Sequence, residues 1–304
     1  MTRVACLQTR LMGSSVAEVR RAVELAEDAG LDGLGVGDHV SFYGGVGADG
    51  LVAATCILAA SGRLAAVVGV YLLPLRHPVV VARQVADIAR LAPGRLVLGV
   101  GIGGEDRHEI EVCGVDPASR GRRMNECLEI VRGLLGGEPV DYQGEFFHLS
   151  QARIDPRPAE PVPLLVGGRS DAAVRRAGRL GDGWYGIWVS PSRYAQAVEQ
   201  MRTVAHETGR HDIDWHNALN VWCGAGATDK EARGHVAAAM EGFYQLPYDR
   251  FEKWSPAGSP NCIAEFLAPY IDAGCRTFNV ITCGPSLEAE IAATGEIREL
   301  LLKR

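Results

Sequence analysis

An adjacent acid–base pair, Asp38 and His39, comes directly after the apolar segment Gly33–Gly37. Histidine changes its charge near neutral pH, so His39 can donate or accept a proton, while the carboxylate of Asp38 can hold the edge of a cofactor. A structural interpretation stays open, in which Asp38 caps a loop and His39 binds a backbone carbonyl group. Because the pair follows a predicted strand, where barrel enzymes place their catalytic groups, we favour the functional interpretation.

Glycines dominate a second segment, Gly99–Gly104, whose residues match the pattern G-x-G-x-x-G. In dinucleotide-binding folds that pattern follows the first strand, and an acidic residue lies about 20 residues further on. Here the pattern follows the fourth predicted strand, and the residues at that distance, Met124–Glu126, lie within a predicted helix. We therefore interpret these glycines as positions where a flat ring or a phosphate group can approach the backbone closely.

A third candidate segment, Val166–Ser170, joins a predicted strand to a predicted helix. Backbone N–H groups at a helix start, the hydroxyl of Ser170 and the guanidinium of Arg169 can together bind a phosphate group. The alternative is a glycine turn beside a surface arginine.

Other catalytic and metal-binding motifs are missing from the sequence. It contains no Walker A motif, no G-x-S-x-G and no H-E-x-x-H. Three histidines, His206, His211 and His216, surround a polar connection, and we predict no metal site there. The eight cysteines are irregularly spaced without a C-x-x-C pair, which predicts reduced thiols in the cytoplasm rather than a disulfide framework.

The composition narrows the class of protein. Of the 304 residues, 47% are hydrophobic and 22% are charged, which is typical of a globular protein with a sizeable core. The formal net charge of −6 argues against nonspecific binding to nucleic acid or to an anionic membrane. Residues 1–13 lack the apolar run of a signal peptide, and the longest apolar stretch, Leu64–Leu75, is too short to span a bilayer.

Short apolar or β-branched runs alternate along the chain with longer segments of helical periodicity. This alternation is typical of parallel βα units, and eight strands are the number that closes a (β/α)8 TIM barrel. An open doubly wound sheet is the alternative, although such sheets usually have fewer strands. The predicted strands are Val4–Gln8, Gly33–Gly37, Ala65–Tyr71, Arg95–Val100, Pro163–Val166, Gly183–Ile187, Ala218–Cys223 and Thr277–Thr282. The predicted helices are Val16–Ala29, Leu51–Ala60, Val79–Leu91, Arg120–Leu135, Asp171–Leu180, Ser192–Glu207, Lys230–Glu241 and Leu287–Leu302.

Two insertions interrupt the alternation of strands and helices. We expect a single domain over residues 1–304 that contains both insertions. Pro139–Ser150 alternates aromatic and polar residues about Gln143-Gly144, which predicts an antiparallel hairpin near 139–150. Phe243–Pro260 is rich in Pro, Tyr and Trp, which predicts a long loop near 243–260 with a short helix after it.

Four segments together resemble the luciferase-like monooxygenase superfamily, and more closely its branch of oxidoreductases that depend on the deazaflavin coenzyme F420. The resemblance extends over roughly residues 4–284 and implies a bacterial luciferase-like (β/α)8 barrel with insertions. The segments are GVGDH (35–39), VVGVYLLPLRHP (67–78), GRLVLGVGIGGE (94–105) and PLLVGGRSDAAVRRAGRLGDGW (163–184).

The resemblance also implies roles for individual residues. His39 would be the proton donor or acceptor beside the deazaflavin, and Glu105 lies near the position of a second acid–base carboxylate in some relatives. A bulge after the third strand, often with a non-proline cis peptide bond, would support the ring. His77 more simply orients a helix start. The residues that would contact the cofactor are Asp38, Gly69, Val70, Tyr71, Gly101, Ile102, Gly103, Gly167, Gly168, Arg169 and Ser170.

Three functions follow from this resemblance as alternatives. Gly37-Asp38-His39 fits the F420 branch better than the FMN-dependent one, so we favour hydride exchange between F420 and a small organic molecule in a cytoplasmic homodimer. The second alternative is a monooxygenase that uses reduced FMN and oxygen, and the third is a catalytically silent barrel. The substrate pocket would be aromatic, with walls from Ser41–Asp49, Trp184, Trp188 and Phe243–Trp254.

Overall fold

The computed structural model describes residues 2–104 and 106–304. Eight parallel strands follow one another around a barrel, each paired with its neighbours in the chain, and the first strand pairs with the last. The sixth and seventh strands also pair, which closes the ring. The strands are β1 (Arg3–Leu7), β2 (Gly33–Val36), β3 (Ala65–Leu72), β4 (Leu96–Gly101), β5 (Leu164–Gly167), β6 (Gly183–Ile187), β7 (Ala218–Ala225) and β8 (Thr277–Cys283). The predicted (β/α)8 TIM barrel is confirmed.

Helices connect successive strands and surround the barrel. The helices are α1 (Val16–Asp28), α2 (Gly50–Ala60), α3 (Pro78–Leu91), α4 (Arg107–Val112), α5 (Arg120–Gly136), α6 (Asp171–Leu180), α7 (Pro191–Glu207), α8 (Asp229–Tyr244), α9 (Pro260–Asp272) and α10 (Leu287–Leu302). Capping side chains mark the points where helices begin. Ser190 caps α7 ahead of a first-turn proline, and the ring of His77 caps α3 by accepting a hydrogen bond from the Val79 N–H. The predicted structural role of His77 is therefore confirmed.

Strand residues alternate between two apolar layers. In β1, Val4 and Cys6 pack in the large cluster shared with the helices, whereas Ala5 belongs to a smaller cluster with inward residues of other strands. Both faces of each strand are buried, which explains why the strands are nearly continuous apolar runs in the sequence. In the part of the chain that the structure describes, no helix is both long and apolar enough to cross a bilayer.

Inward-facing glycines leave room in the barrel for two larger side chains, Tyr185 and Asn279. A Cβ atom added at Gly69 or Gly99 would collide with the Tyr185 ring or hydroxyl, and one at Gly35 would collide with the Asn279 amide. Tyr185 is fully buried and also lines the cavity above it. The glycines of β2, β3 and β4 therefore allow a bulky floor inside the barrel, below its carboxyl-terminal end.

The insertions differ partly from expectation. The hairpin near 139–150 is confirmed as Val140–Gln143 paired with His148–Ala152. The region 243–260 begins with the last two residues of α8, continues through two short 3-10 turns and ends at α9. Among the elements that were not predicted are an antiparallel pair, His39–Phe42 with Val46–Ala48, and the six-residue helix α4. Both lie at the carboxyl-terminal end of the barrel, where they help to shape the site.

Candidate active site

A cavity of about 390 Å³ opens at the carboxyl ends of the barrel strands. Barrel enzymes place their chemistry at this end, because loops from all eight strands meet there. Predicted site residues from four separate segments come together around this one cavity. Those that line it are Asp38, His39, Gly69, Val70, Gly101, Ile102, Gly103, Gly167, Gly168, Arg169 and Ser170.

His39 lies at the cavity wall with its ring anchored from behind. Its Nδ1 is 3.0 Å from Oε2 of Glu109, a residue on α4 whose side chain is 2% exposed. The Glu109 carboxylate also accepts hydrogen bonds from the backbone N–H groups of Val40 (2.7 Å) and Ser41 (3.2 Å). One carboxylate therefore fixes both the imidazole and the strand that carries it.

The contacts of Glu109 determine its charge. Burial raises the pKa of Glu109, but hydrogen bonds from His39, Val40 and Ser41 and the attraction of the imidazole outweigh burial, so this pKa lies below its usual value. An ionised carboxylate can only accept hydrogen bonds, so the His39 proton that faces it must be on Nδ1. This leaves Nε2 as the ring nitrogen that can exchange a proton with a molecule in the cavity.

Asp38 has a different set of partners from those expected of a cofactor ligand. Its carboxylate is fully buried and forms two hydrogen bonds with Arg76, at 2.6 and 2.8 Å. It also accepts hydrogen bonds from the N–H groups of Gly50 and Leu72, each near 2.9 Å. Asp38 lines the cavity, but its carboxylate joins the loop after β2 to α2 and to the end of β3.

The end of β3 forms the bulge that the resemblance implies. The peptide bond between Gly69 and Val70 is cis, and the strand register shifts between Val68 and Tyr71. The Val70 side chain lies against Gly101 and Gly167, where an added Cβ atom would crowd it. The Asn220 amide donates a hydrogen bond of 3.1 Å to the Gly69 carbonyl and so holds the bulge from the barrel interior.

The segment after β5 combines a helix start with a cation. The Ser170 hydroxyl caps α6 through the Ala173 N–H at 3.2 Å, and the Arg169 guanidinium lies 5.2 Å from the centre of the Trp188 ring. Trp188 has a φ of 50°, which is unusual for a bulky residue. Within the described residues its buried indole Nε1 has no hydrogen-bond partner, so a polar atom of a ligand could satisfy it.

Aromatic rings surround His39 on the open side of the cavity. Phe42 stacks on the imidazole at 4.0 Å, and Phe243 lies 5.7 Å from it, edge to face. Trp222 and Tyr244 extend this wall, and the Trp222 Nε1 donates a 3.1 Å hydrogen bond to the Tyr244 hydroxyl. The two polar groups of that wall are thereby engaged with each other.

Two of the expected site residues do not line the cavity, and a third lies outside the described residues. Tyr71 does not line the cavity, because the strand turns its ring into the layer between barrel and helices, under the Arg76 guanidinium. Trp184 is also wrong as a pocket wall: it is fully buried in the same layer, and its Nε1 donates to the Gly168 carbonyl. Glu105 lies outside the described residues.

Sequence reasoning also missed residues that matter to the site. Glu109 and Arg76 hold the acid–base pair, and Asn220 and Trp222 line the cavity from β7. The only available signal was position, because Asn220 and Trp222 lie two residues apart on one face of a predicted strand. For Glu109 and Arg76 the chain gave no such signal.

Most of the chain is similar to known proteins. The family model for luciferase-like monooxygenases matches residues 2–273. An F420-dependent glucose-6-phosphate dehydrogenase of Nakamurella multipartita is 34% identical over 300 residues, with 89% of this chain and 88% of that protein covered. Three uncharacterized mycobacterial proteins are 39% identical over 138 residues, and the match spans about half the length of those relatives, 47%.

Solved structures show the same fold. That of an F420-dependent secondary alcohol dehydrogenase, in complex with an F420-acetone adduct, has a TM-score of 0.86 and covers 99% of both chains at 20% identity. The oxygenating constituent of 3,6-diketocamphane monooxygenase from Pseudomonas putida, in complex with FMN, has a TM-score of 0.77 over 99% of both chains at 16% identity. At these identities the likeness concerns the fold alone.

Proposed function

Since the chain belongs to the luciferase-like monooxygenase family, we propose that it is an F420-dependent oxidoreductase that exchanges a hydride between the deazaflavin and an organic substrate. The observation that carries the proposal is the glycine-lined cavity in which His39 is held by Glu109. Relatives named as F420-dependent dehydrogenases, which match most of the chain, favour this cofactor over FMN.

The residues around the cavity fit a flat tricyclic ring with a phosphate-bearing tail. A Cβ atom at Gly37 would meet nothing within 4 Å, so the wall there is open, while Val70 offers a flat apolar support. Arg169, the Ser170 hydroxyl and the start of α6 would hold the phosphate, and the buried Trp188 Nε1 can donate to a ligand oxygen. When bound, the deazaflavin would supply a hydride donor or acceptor and no oxygen adduct.

His39 would accept or donate the proton that accompanies hydride transfer, depending on the direction of the reaction. Because Nδ1–H is directed at Glu109, neutral His39 presents an unprotonated Nε2 to the cavity and can take a proton from a substrate hydroxyl. Protonated His39 donates from the same atom in the reverse direction. The Glu109 carboxylate holds the ring from behind, and Phe42 and Phe243 pack against it.

A titration of the purified protein with F420 and, separately, with FMN tests the proposal. We expect F420 to quench protein fluorescence at lower concentrations than FMN. The His39→Ala variant should bind F420 but lose at least a hundredfold in hydride transfer, whereas His148→Ala, at an exposed histidine of the distant hairpin, should behave as the wild type. Tighter binding of FMN, or full activity of His39→Ala, would contradict the proposal.

A further inference from the structure

We propose that the part of the cavity beside His39 accepts an uncharged, largely apolar organic molecule and excludes phosphorylated sugars. This inference rests on the function proposed above and specifies its substrate class. The side chains that carry it are those that a substrate would contact when Arg169 and Ser170 bind the phosphate of the cofactor.

The surface near His39 is made of rings and hydrocarbon. Phe42 and Phe243 contact the imidazole itself, and Trp222 lies 5.8 Å from Phe243, centre to centre. The indole N–H of Trp222 is already donated to Tyr244. Other apolar residues that line the same cavity include Leu7, Met12, Leu72, Ile187 and Ile281. A molecule that binds here gains free energy by covering apolar surface.

Two polar side chains of the cavity, Asn220 and Asp38, are already paired within the protein. The Asn220 amide donates to the Gly69 carbonyl and accepts a 2.9 Å hydrogen bond from Asn279. The Asp38 carboxylate is paired with Arg76. His39 Nε2 is left to orient a substrate oxygen, and the Thr9 and Tyr185 hydroxyls that also line the cavity are uncharged. This set of groups suits an uncharged molecule with a carbonyl or hydroxyl group.

The charges near His39 oppose an anion. Among the described residues that line the cavity, Arg169 is the only cation, and it lies beside Trp188 in the segment proposed for the cofactor phosphate. The negative charge nearest to His39 is that of Glu109, directly behind the ring. A phosphate dianion placed against the Phe42–Phe243 wall would lose its hydration without gaining a cation. The chain therefore differs here from what the name of its glucose-6-phosphate dehydrogenase relatives would suggest.

Binding to the F420-loaded protein separates the two substrate classes without relying on activity. Isothermal calorimetry with cyclohexanone, acetophenone and benzaldehyde should detect at least one Kd that is tenfold or more below that of glucose 6-phosphate. Tighter binding of glucose 6-phosphate, or no binding of any of the three carbonyl compounds, would overturn this inference while leaving F420 binding intact. If F420 itself does not bind, the proposed function and this inference both fail.

Variants locate the bound molecule. Phe243→Ala should weaken binding of the best carbonyl compound about tenfold, and Phe243→Leu, which keeps an apolar side chain, should weaken it less. Phe266→Ala, at a half-buried ring that packs on Tyr270 away from the cavity, is the matched control and should not change the Kd. F420 affinity, measured for each variant, shows that it is folded. Equal Kd values for Phe243→Ala and the wild type would overturn the assignment of this wall to the substrate.

Discussion

His39 and Glu109, 70 residues apart in the chain, face each other with Nδ1 and Oε2 at 3.0 Å. The same carboxylate accepts the N–H groups of Val40 and Ser41, so the position of the imidazole is fixed relative to its own backbone. Such an arrangement sets the tautomer of a histidine and leaves its other nitrogen for chemistry. Glu109 is therefore a positioning residue for the proposed reaction.

Replacing Glu109 with Gln should slow hydride transfer while leaving the cofactor in place. The Gln amide can donate to Nδ1 as well as accept from it, so the tautomer of His39 is no longer set. We therefore expect kcat to fall roughly ten- to a hundredfold while KM changes less than about twofold. F420 affinity should stay within about twofold. Glu111→Gln, at an exposed glutamate of the same helix, is the control. A wild-type kcat in Glu109→Gln would show that the carboxylate has only a structural role.

The same carboxylate makes the stability of the protein dependent on pH. Because the pKa of Glu109 is lowered in the folded state, its contribution is complete above the ordinary pKa of glutamate and is lost as the pH falls through the lower, folded value. We therefore expect the difference in unfolding free energy between wild type and Glu109→Gln to be largest near neutral pH and to shrink in acid. Urea unfolding at a series of pH values measures it, and a difference that grows in acid would contradict the assigned charge.

Asp38 should act on stability more than on catalysis. Its buried carboxylate has four donors, two of them from Arg76. Asp38→Asn leaves the partly buried guanidinium with only Asp49 as an ion-pair partner among the described residues, and should cost roughly 2 kcal/mol. Asp87→Asn, at an exposed carboxylate that pairs only with surface arginines, should cost less than about 0.5 kcal/mol. Chemical denaturation compares the two. If Asp38→Asn unfolds like the wild type but binds F420 poorly, Asp38 is a direct cofactor ligand.

The barrel could be predicted from the sequence because strand and helix periodicities repeat eight times. The ends of every predicted strand lie within two residues of those of an observed strand. The sequence was also sufficient to bring most site residues to one cavity, since parallel strands end at the same side. Periodicity could not determine which of two adjacent strand residues faces inward, so Trp184 was assigned to the pocket where Tyr185 lines it. Tyr71 was misplaced because the register shifts at the bulge before it.

Contacts between distant segments were beyond sequence reasoning altogether. Glu109 lies on a helix of six residues, too short to show a periodic pattern, and its partner His39 is on another loop. Arg76 likewise follows a 3-10 turn, and nothing in its neighbours distinguishes it from the many surface arginines. Such pairs exist because the fold brings their loops together, so only the three-dimensional structure reveals them.

The open wall at Gly37 can be tested by filling it. An added side chain there meets nothing within 4 Å, so Gly37→Val should fold with nearly wild-type stability and yet weaken F420 binding at least tenfold. Gly62→Val is the matched control, because Gly62 also has free space around it but is exposed away from the cavity. Fluorescence titration gives both affinities. Equal affinities in the two variants would place the cofactor elsewhere.

The segment after β5, which we propose as the phosphate site, combines a charged side chain with the start of a helix. Arg169 is exposed beside Trp188, and the Ser170 hydroxyl caps the start of α6 by accepting a hydrogen bond from the Ala173 N–H. Arg169→Ala should weaken F420 binding about tenfold, in line with the loss of one charge-assisted contact to a phosphate. The same variant should bind a deazaflavin that lacks the phosphate as well as the wild type does. Arg175→Ala, at an exposed arginine on the same helix, should change neither affinity. If Arg169→Ala weakened both ligands equally, Arg169 would act on the ring or on the fold, and the phosphate would be bound by other groups.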